Sequence, residues 1–209
     1  NEWGQANEKV YLFVCPHSFA ILPSSSELVT ACAAFLPWLF SPTRLEGKMK
    51  AAYINHTGPP DVIIYGDLPN PKPGPTDCLV KVSAVDVNPI DIYIRDGMVP
   101  AKLTFPYIIG RDLAGTVVDC GAQVKQFKPG MRVWASGQGV GQRQGTFAEF
   151  SAVDERWLHP TPDGVQDEDI VAISLVGITA QLGLVAHAKI KSGEIIFVNG
   201  GSGGVGSAV

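Results

Sequence analysis

The sequence predicts two architectures in series: an all-β, barrel-like domain, then the opening strand and helix of an α/β domain with a doubly wound sheet. Three observations carry this. Between Met49 and about Pro160, short β-type runs alternate with glycine and proline punctuation. After "HPTPDG" the pattern switches to a long, densely apolar stretch with acids at its start. The chain then closes on "IIFVNGGSGGVGSAV", a strand-like run leading into a glycine turn.

Residues 1–48 fit neither architecture. They show no strict alternation and no helical period, and their apolar segment Leu28–Phe40 contains a proline and is too short to span a bilayer. A signal peptide would need a basic start, where only Lys9 is present, and a mitochondrial presequence would avoid Glu2, Glu8, Glu27 and Glu46. We therefore expect residues 1–48 to be an extraneous or disordered leader, with a targeting segment or a structural extension as alternatives. Met49 is the expected start of the folded part.

From Met49 the elements follow in order. "KAAYIN" and "DVIIYGDL" read as a hairpin around the "HTGPP" loop, and "DCLVKVSAVDV" as a further strand. "NPIDIYIRDG" reads as a short helix with Asn88 at the cap, Pro89 at its first position and Gly97 as its stop. "DLAGTVVDCG", "KPGMRVWAS" and "GTFAEFSAVDE" read as three more strands. Domain one is thus expected over 49–165. Residues 166–209 should hold one or two helices broken near Gly177 and packed between layers, then a parallel strand, Ile195–Val198, then the glycine turn.

That turn, Gly201-Ser202-Gly203-Gly204-Val205-Gly206, fits G-x-G-x-x-G between a predicted strand and a predicted helix. Glycines there permit a tight turn, close approach of backbone N–H groups to a pyrophosphate, and close strand–helix packing. The alternative is a flexible glycine connector. A net charge of −4 and the absence of a basic run exclude a nucleic-acid surface. Cys15, Cys32, Cys78 and Cys120 are scattered without a C-x-x-C pair, which predicts isolated reduced thiols in a cytoplasmic protein, without a disulfide framework or a zinc module.

In combination these blocks resemble the zinc-independent quinone oxidoreductase (ζ-crystallin-like) branch of the medium-chain dehydrogenase/reductase superfamily. "VNPIDIYIRDGMVP" resembles its V-N-x-x-D-x-Y-x-R-x-G pattern, and "PYIIGRDLAGTVVDCG" its P-x-x-x-G-x-[ED]-x-A-G block. "GTFAEF", "LVGITAQLGL" and the glycine loop follow in the family's order. The resemblance implies a GroES-like β-barrel domain, a bridging helix and the truncated start of a Rossmann domain. It implies hydride transfer from NADPH, or NADH, to a small-molecule acceptor, a quinone or an activated alkene. The residue that chooses between the two nucleotides lies about 20 residues past the loop, beyond Val209.

The same resemblance assigns roles. Asn88 and Asp91 would stand near the nicotinamide ribose, Tyr93 would line the acceptor pocket, and Thr179 would touch the cofactor. Each has a plainer alternative: a helix cap for Asn88, a first-turn dipole partner for Asp91, a core aromatic for Tyr93, a hydroxyl bonded to its own helix for Thr179. Arg95 is expected to be structural or on the surface. Zinc-dependent members carry a cysteine where this chain has Asn88 and G-H-E where it has Gly110-Arg111-Asp112, so no metal is expected. Val99 stands where several quinone reductases carry a second tyrosine. A homodimer without membrane or nucleic-acid partners is implied for a complete protein, and a non-catalytic nucleotide-binding member is the rival class. The 209 residues alone are expected to be a fragment without turnover, because one strand cannot form a doubly wound sheet.

Overall fold

The computed structural model describes residues 47–209, so residues 1–46 of the expected leader lie outside the described residues, and its boundary at 48 is corrected, since Lys48 already pairs with Pro69 in the first strand. The chain begins as the predicted hairpin. β1 (Lys48–Ile54) pairs antiparallel with β2 (Ile64–Pro69), from Lys48 opposite Pro69 to Tyr53 opposite Ile64. β3 (Asp77–Ala84) and α1 (Pro89–Arg95) follow as expected. Gly97, just past α1, takes φ +78°, a left-handed conformation that ends a helix cheaply only for glycine.

The remaining strands are β4 (Tyr107–Ile108), β5 (Leu113–Cys120), β6 (Arg132–Ala135), β7 (Phe150–Asp154) and β8 (Leu158–Pro160). They build a three-stranded sheet in the order β2-β1-β4 and a five-stranded sheet in the order β7-β3-β5-β6-β8, with every pairing antiparallel. The segment Phe147–Glu149 stitches the sheets together. Ala52 N–H donates to the Phe147 carbonyl (2.8 Å), Glu149 N–H to that of Lys50 (3.0 Å), and Val82 N–H to that of Glu149 (2.9 Å).

Packing follows the alternation. One core gathers Cys78, Val80, Leu113, Val117, Val133, Ala135 and Val153 from the inner face of the larger sheet. A second gathers Ile54, Tyr107 and Ile109 beneath α1, which contributes Ile94. β4 and β8 were not foreseen. Two or three residues are too few to show a period, and β8 ends in a proline that suits a sheet edge.

Two expectations for the last third are corrected. α2 (Asp167–Gln181) runs unbroken through Gly177, and the irregularity comes later, as a π-helical turn over Leu182–His187. A lone glycine costs a helix only about 1 kcal/mol relative to alanine, too little to break one. Ile195–Val198 is not a strand: it has no sheet partner, and Ile195 is 100% exposed. A strand exists only where a neighbour accepts its hydrogen bonds. α3 (Gly204–Ala208) closes the chain.

α2 is anchored at its start. Arg132 donates from Nε to Asp167 Oδ1 (3.2 Å) and from Nη2 to the Val165 carbonyl (2.7 Å), and Ser83 donates to Asp167 Oδ2. Ile170 and Val171 pack on Ala114 and Trp134. Further along, Ile173, Ile178, Leu182 and Val185 are exposed, so packing between two layers holds on one side only. Asp167–His187 is also the one helix among the described residues that is long and apolar enough to cross a membrane, a test that core helices pass too.

Candidate functional site

The N-terminus of α1 is where four elements meet. The chain leaves β3, passes Asp86 and Val87, and enters α1 at Asn88, whose extended backbone (φ −111°, ψ 153°) suits a cap. Pro89 fixes the first helical φ. Asp91, at the third helical position, reaches back so that its Oδ2 accepts the Asn88 N–H at 2.8 Å, the reciprocal arm of a capping box. Local chain geometry therefore explains why an acid sits three residues after Asn88.

It does not explain where the Asn88 amide points. Asn88 is buried, and its Nδ2 donates to Asp112 Oδ2 at 3.0 Å and to Asp86 Oδ2 at 3.3 Å. Asp112, with 0% exposure, takes a second bond on Oδ1 from Ser136 Oγ at 2.7 Å. Asp112 precedes β5 and Ser136 follows β6, so the sheet supports the cap. Both amide protons of Asn88 are committed, which leaves its Oδ1 as an acceptor only.

Three carboxylates thus bond to Asn88: Asp86 and Asp112 through its side-chain amide, and Asp91 through its backbone N–H. Burial pushes the Asp91 carboxyl up to about 6. The Asn88 N–H and the Arg111 guanidinium pull it down, and the Asp112 and Asp86 charges raise it further. Asp91 Oδ1 is buried with no hydrogen-bond partner. Burial also raises the Asp86 carboxyl, against the pull of the Val87 N–H. Such a site holds a proton on Asp91 up to about pH 6, well above the ordinary carboxylate range.

A cleft of ≈ 330 Å³ opens beside the cap, lined by Asp86, Asn88 and Pro89 on one side, Ile173 and Val176 of α2 behind, and Gly204 and Ser207 of α3 opposite. The structure therefore brings two predicted site residues, Asn88 and Gly204, to one cavity. Asp91 sits behind Asn88 in the cap. Tyr93 is 45% exposed on α1, neither a core aromatic nor part of that lining. Thr179 is exposed and outside the lining, with its Oγ1 bonded to the Leu175 carbonyl at 2.8 Å. Arg95 is buried and structural, donating from Nε to the Gly58 carbonyl at 3.2 Å.

Gly201, Ser202, Gly203 and Val205 are exposed around the turn and lie outside the cleft lining. Gly206 is required by the turn itself: a Cβ there would stand 2.2 Å from the Gly200 carbonyl oxygen. Gly201 is under no such constraint, since the nearest atom to its missing Cβ is 3.8 Å away. Sequence reasoning missed Asp86, Ser136 and the bonding role of Asp112. An acid just ahead of the apolar run that becomes β5 was the available signal for Asp112; Ser136 gave none.

The thiols are also not all isolated. Cys78 and Cys120 stand opposite each other on β3 and β5, both free, with Sγ atoms 3.6 Å apart.

Comparison with known proteins adds the family. Residues 74–163 match the alcohol dehydrogenase GroES-like domain. A quinone oxidoreductase of Sus scrofa is 36% identical over 161 residues, 77% of this chain and 48% of that protein. A zinc-type alcohol dehydrogenase-like protein of Schizosaccharomyces pombe is 34% identical over 178 residues, 80% of this chain and 51% of that one. Among solved structures, an alcohol dehydrogenase superfamily protein from Novosphingobium aromaticivorans superposes with a TM-score of 0.71 at 39% identity, covering 77% of this chain and 48% of its own. A mycobacterial protein complexed with NADPH gives a TM-score of 0.67 at 33% identity, covering 76% and 47%. The chain spans about half the length of the curated relatives it matches. Residues 74–163 are thus a GroES-like domain of the alcohol dehydrogenase kind, and over that domain and the elements after it the chain is similar to quinone oxidoreductases and other members of the medium-chain dehydrogenase/reductase superfamily.

Proposed function

We propose that this chain serves an oxidoreductase that reduces a quinone-type acceptor with NADPH and without zinc. The observation that carries the reading is the shared cleft: Asn88 and Gly204 face one cavity of ≈ 330 Å³. In the proposed arrangement the turn at Gly201, Ser202, Gly203, Gly204, Val205 and Gly206 takes the pyrophosphate, and Thr179 lies against the cofactor. Asn88 and Asp91 serve the nicotinamide-ribose end, and Tyr93 the acceptor. The loop fits such a group, because Gly206 closes the turn while Gly201 leaves open space for a ligand.

NADPH, when bound, supplies the hydride. The protein's own residues bind and orient. Asn88 is held by Asp112 and Asp86, and its Oδ1, which takes the Asp91 N–H in the capping box, keeps a second lone pair for a donor on the ligand. Asp91 Oδ1 is the atom that takes a proton as pH falls through about 6, since burial has raised its carboxyl to that value and no other group occupies the atom. Val176 and Ile173 keep one wall of the cleft apolar and limit water.

Zinc does not fit. The Asn88 amide directs N–H groups at Asp86 and Asp112, and Arg111 adds a cation within electrostatic reach of Asp91. Among the described residues no group of three or more His, Cys, Asp or Glu could hold a metal ion.

The test is NADPH oxidation by the complete gene product, with 1,4-benzoquinone and with an α,β-unsaturated ketone as acceptors. Turnover with the quinone is expected. Turnover with the ketone alone would replace the reading by an activated-alkene reductase, and Val99, half-buried against the core of Ile54, Ile94, Tyr107 and Ile109, would then be the first residue to exchange for tyrosine. Quenching of NADPH fluorescence with no acceptor-dependent oxidation would make the protein a nucleotide-binding member without catalysis.

A further inference from the structure

Cys78 and Cys120 have no part in the proposed chemistry, yet their placement is specific. They face each other across β3 and β5, both flanked on either side in the larger sheet. The Gly121 N–H bond to the Asp77 carbonyl, 2.8 Å, lies just beyond them, so they form a non-hydrogen-bonded pair, the type in which facing side chains come closest. Cα atoms in such pairs stand about 4.5 Å apart, within the range of about 4.4–6.8 Å that disulfides accept. The Sγ atoms are already 3.6 Å apart, and Cys120 Sγ also lies 3.7 Å from the Phe127 carbonyl.

Access to the two sulfurs is unequal. Cys78 is 0% exposed, whereas Cys120 is half-buried at the end of β5, where the chain turns into Gly121. An oxidant reaches Cys120 first, and the only thiol among the described residues able to resolve the product is Cys78.

We propose that Cys78 and Cys120 are a redox modification site, a thiol pair that a low-molecular-weight disulfide closes into a cross-strand bond. In the first step the Cys120 thiolate attacks the small disulfide, forming a mixed disulfide and releasing one thiolate. In the second, Cys78 loses its proton and attacks the Cys120 sulfur, expelling the second small thiolate. The protein gives up two electrons and two protons, and the small disulfide becomes two thiols. The bond would join positions 42 residues apart and enclose Asn88, Asp91 and Asp112 in its loop. Burial pushes the Cys78 thiol up to about 12 and also raises that of Cys120, so closure needs sustained oxidation and quickens in alkali.

The test uses the full chain with Cys15→Ser and Cys32→Ser, held under native conditions at pH 8.5 with excess oxidised glutathione, then alkylated and digested. The expected result is a Cys78–Cys120 linked peptide as the main product, reversed by dithiothreitol. The further change Cys78→Ser should stop the reaction at glutathionylated Cys120. The proposal is overturned if glutathione stays on Cys120 while Cys78 remains alkylatable, or if the linked peptide forms only in denaturant.

Discussion

The β domain and the last twenty residues obey the same physics with opposite outcomes. In the first, each strand finds a partner on at least one edge, and Leu113, Val80 and Val133 are sealed at 0% exposure. In the second, Ile195 and Phe197 are 100% and 90% exposed, although their run is as apolar as any in the chain. Hydrophobicity nominates a strand, but pairing makes one. The β domain holds the antiparallel partners of its own strands within its length, whereas a parallel strand requires neighbours delivered by crossovers.

The sharpest way to break this comparison is to truncate one residue in each region. Leu113→Ala should cost about 2–5 kcal/mol in urea unfolding, since it empties a sealed core position. Ile195→Ser should change stability by less than about 0.5 kcal/mol. Equal effects would mean that Ile195–Val198 is packed in solution.

Next in size is the charge buried in the cap. Because the folded-state carboxyl of Asp91 titrates near 6, above its ordinary 3.8, the stability it contributes is full below about pH 4 and is lost as pH rises through 6. Relative to Asp91→Asn, which keeps an acceptor for the Asn88 N–H, the parent chain should lose up to about 3 kcal/mol between pH 4 and pH 7. Unfolding curves that run parallel for both proteins across that range would show an unperturbed Asp91.

Asn88→Ala should follow, at about 1–3 kcal/mol near neutral pH, because it strips an amide donor from the buried Asp112 carboxylate. Asn88→Asp should be worse, placing a fourth carboxylate among Asp86, Asp91 and Asp112; denaturant titration of both variants checks the order. A contrast without any substitution is read by exchange. Amide protons of β3 and β5 should outlast those of residues 195–198 by orders of magnitude in hydrogen exchange.

Much of this was legible in advance, and the limits have physical causes. β1, β3, β5, β6 and β7 announced themselves through alternation and turn residues, and α1 through Asn88, Pro89 and Gly97. β4 and β8 were too short to show a period. α2 hid its π turn because its apolar residues surround the helix and obscure any face. At the site, Asn88 and Asp91 were visible because a helix cap has a local spacing. The bonds from Asn88 to Asp112 and from Ser136 to Asp112 were not, because they join residues 24 apart in each case and depend on how β5 meets β6. The Cys78–Cys120 pair was hidden for the same reason: strand register, absent from any local motif, sets them face to face.

The central claim is that the α1 cap and the glycine turn serve one bound nucleotide. Fluorescence titration of NADPH into the complete protein and its Asn88→Ala variant tests this most directly. Binding should weaken by about 10-fold or more, the loss of one well-placed hydrogen bond, in a variant whose circular dichroism shows it folded. An unchanged dissociation constant in a folded Asn88→Ala protein would contradict it.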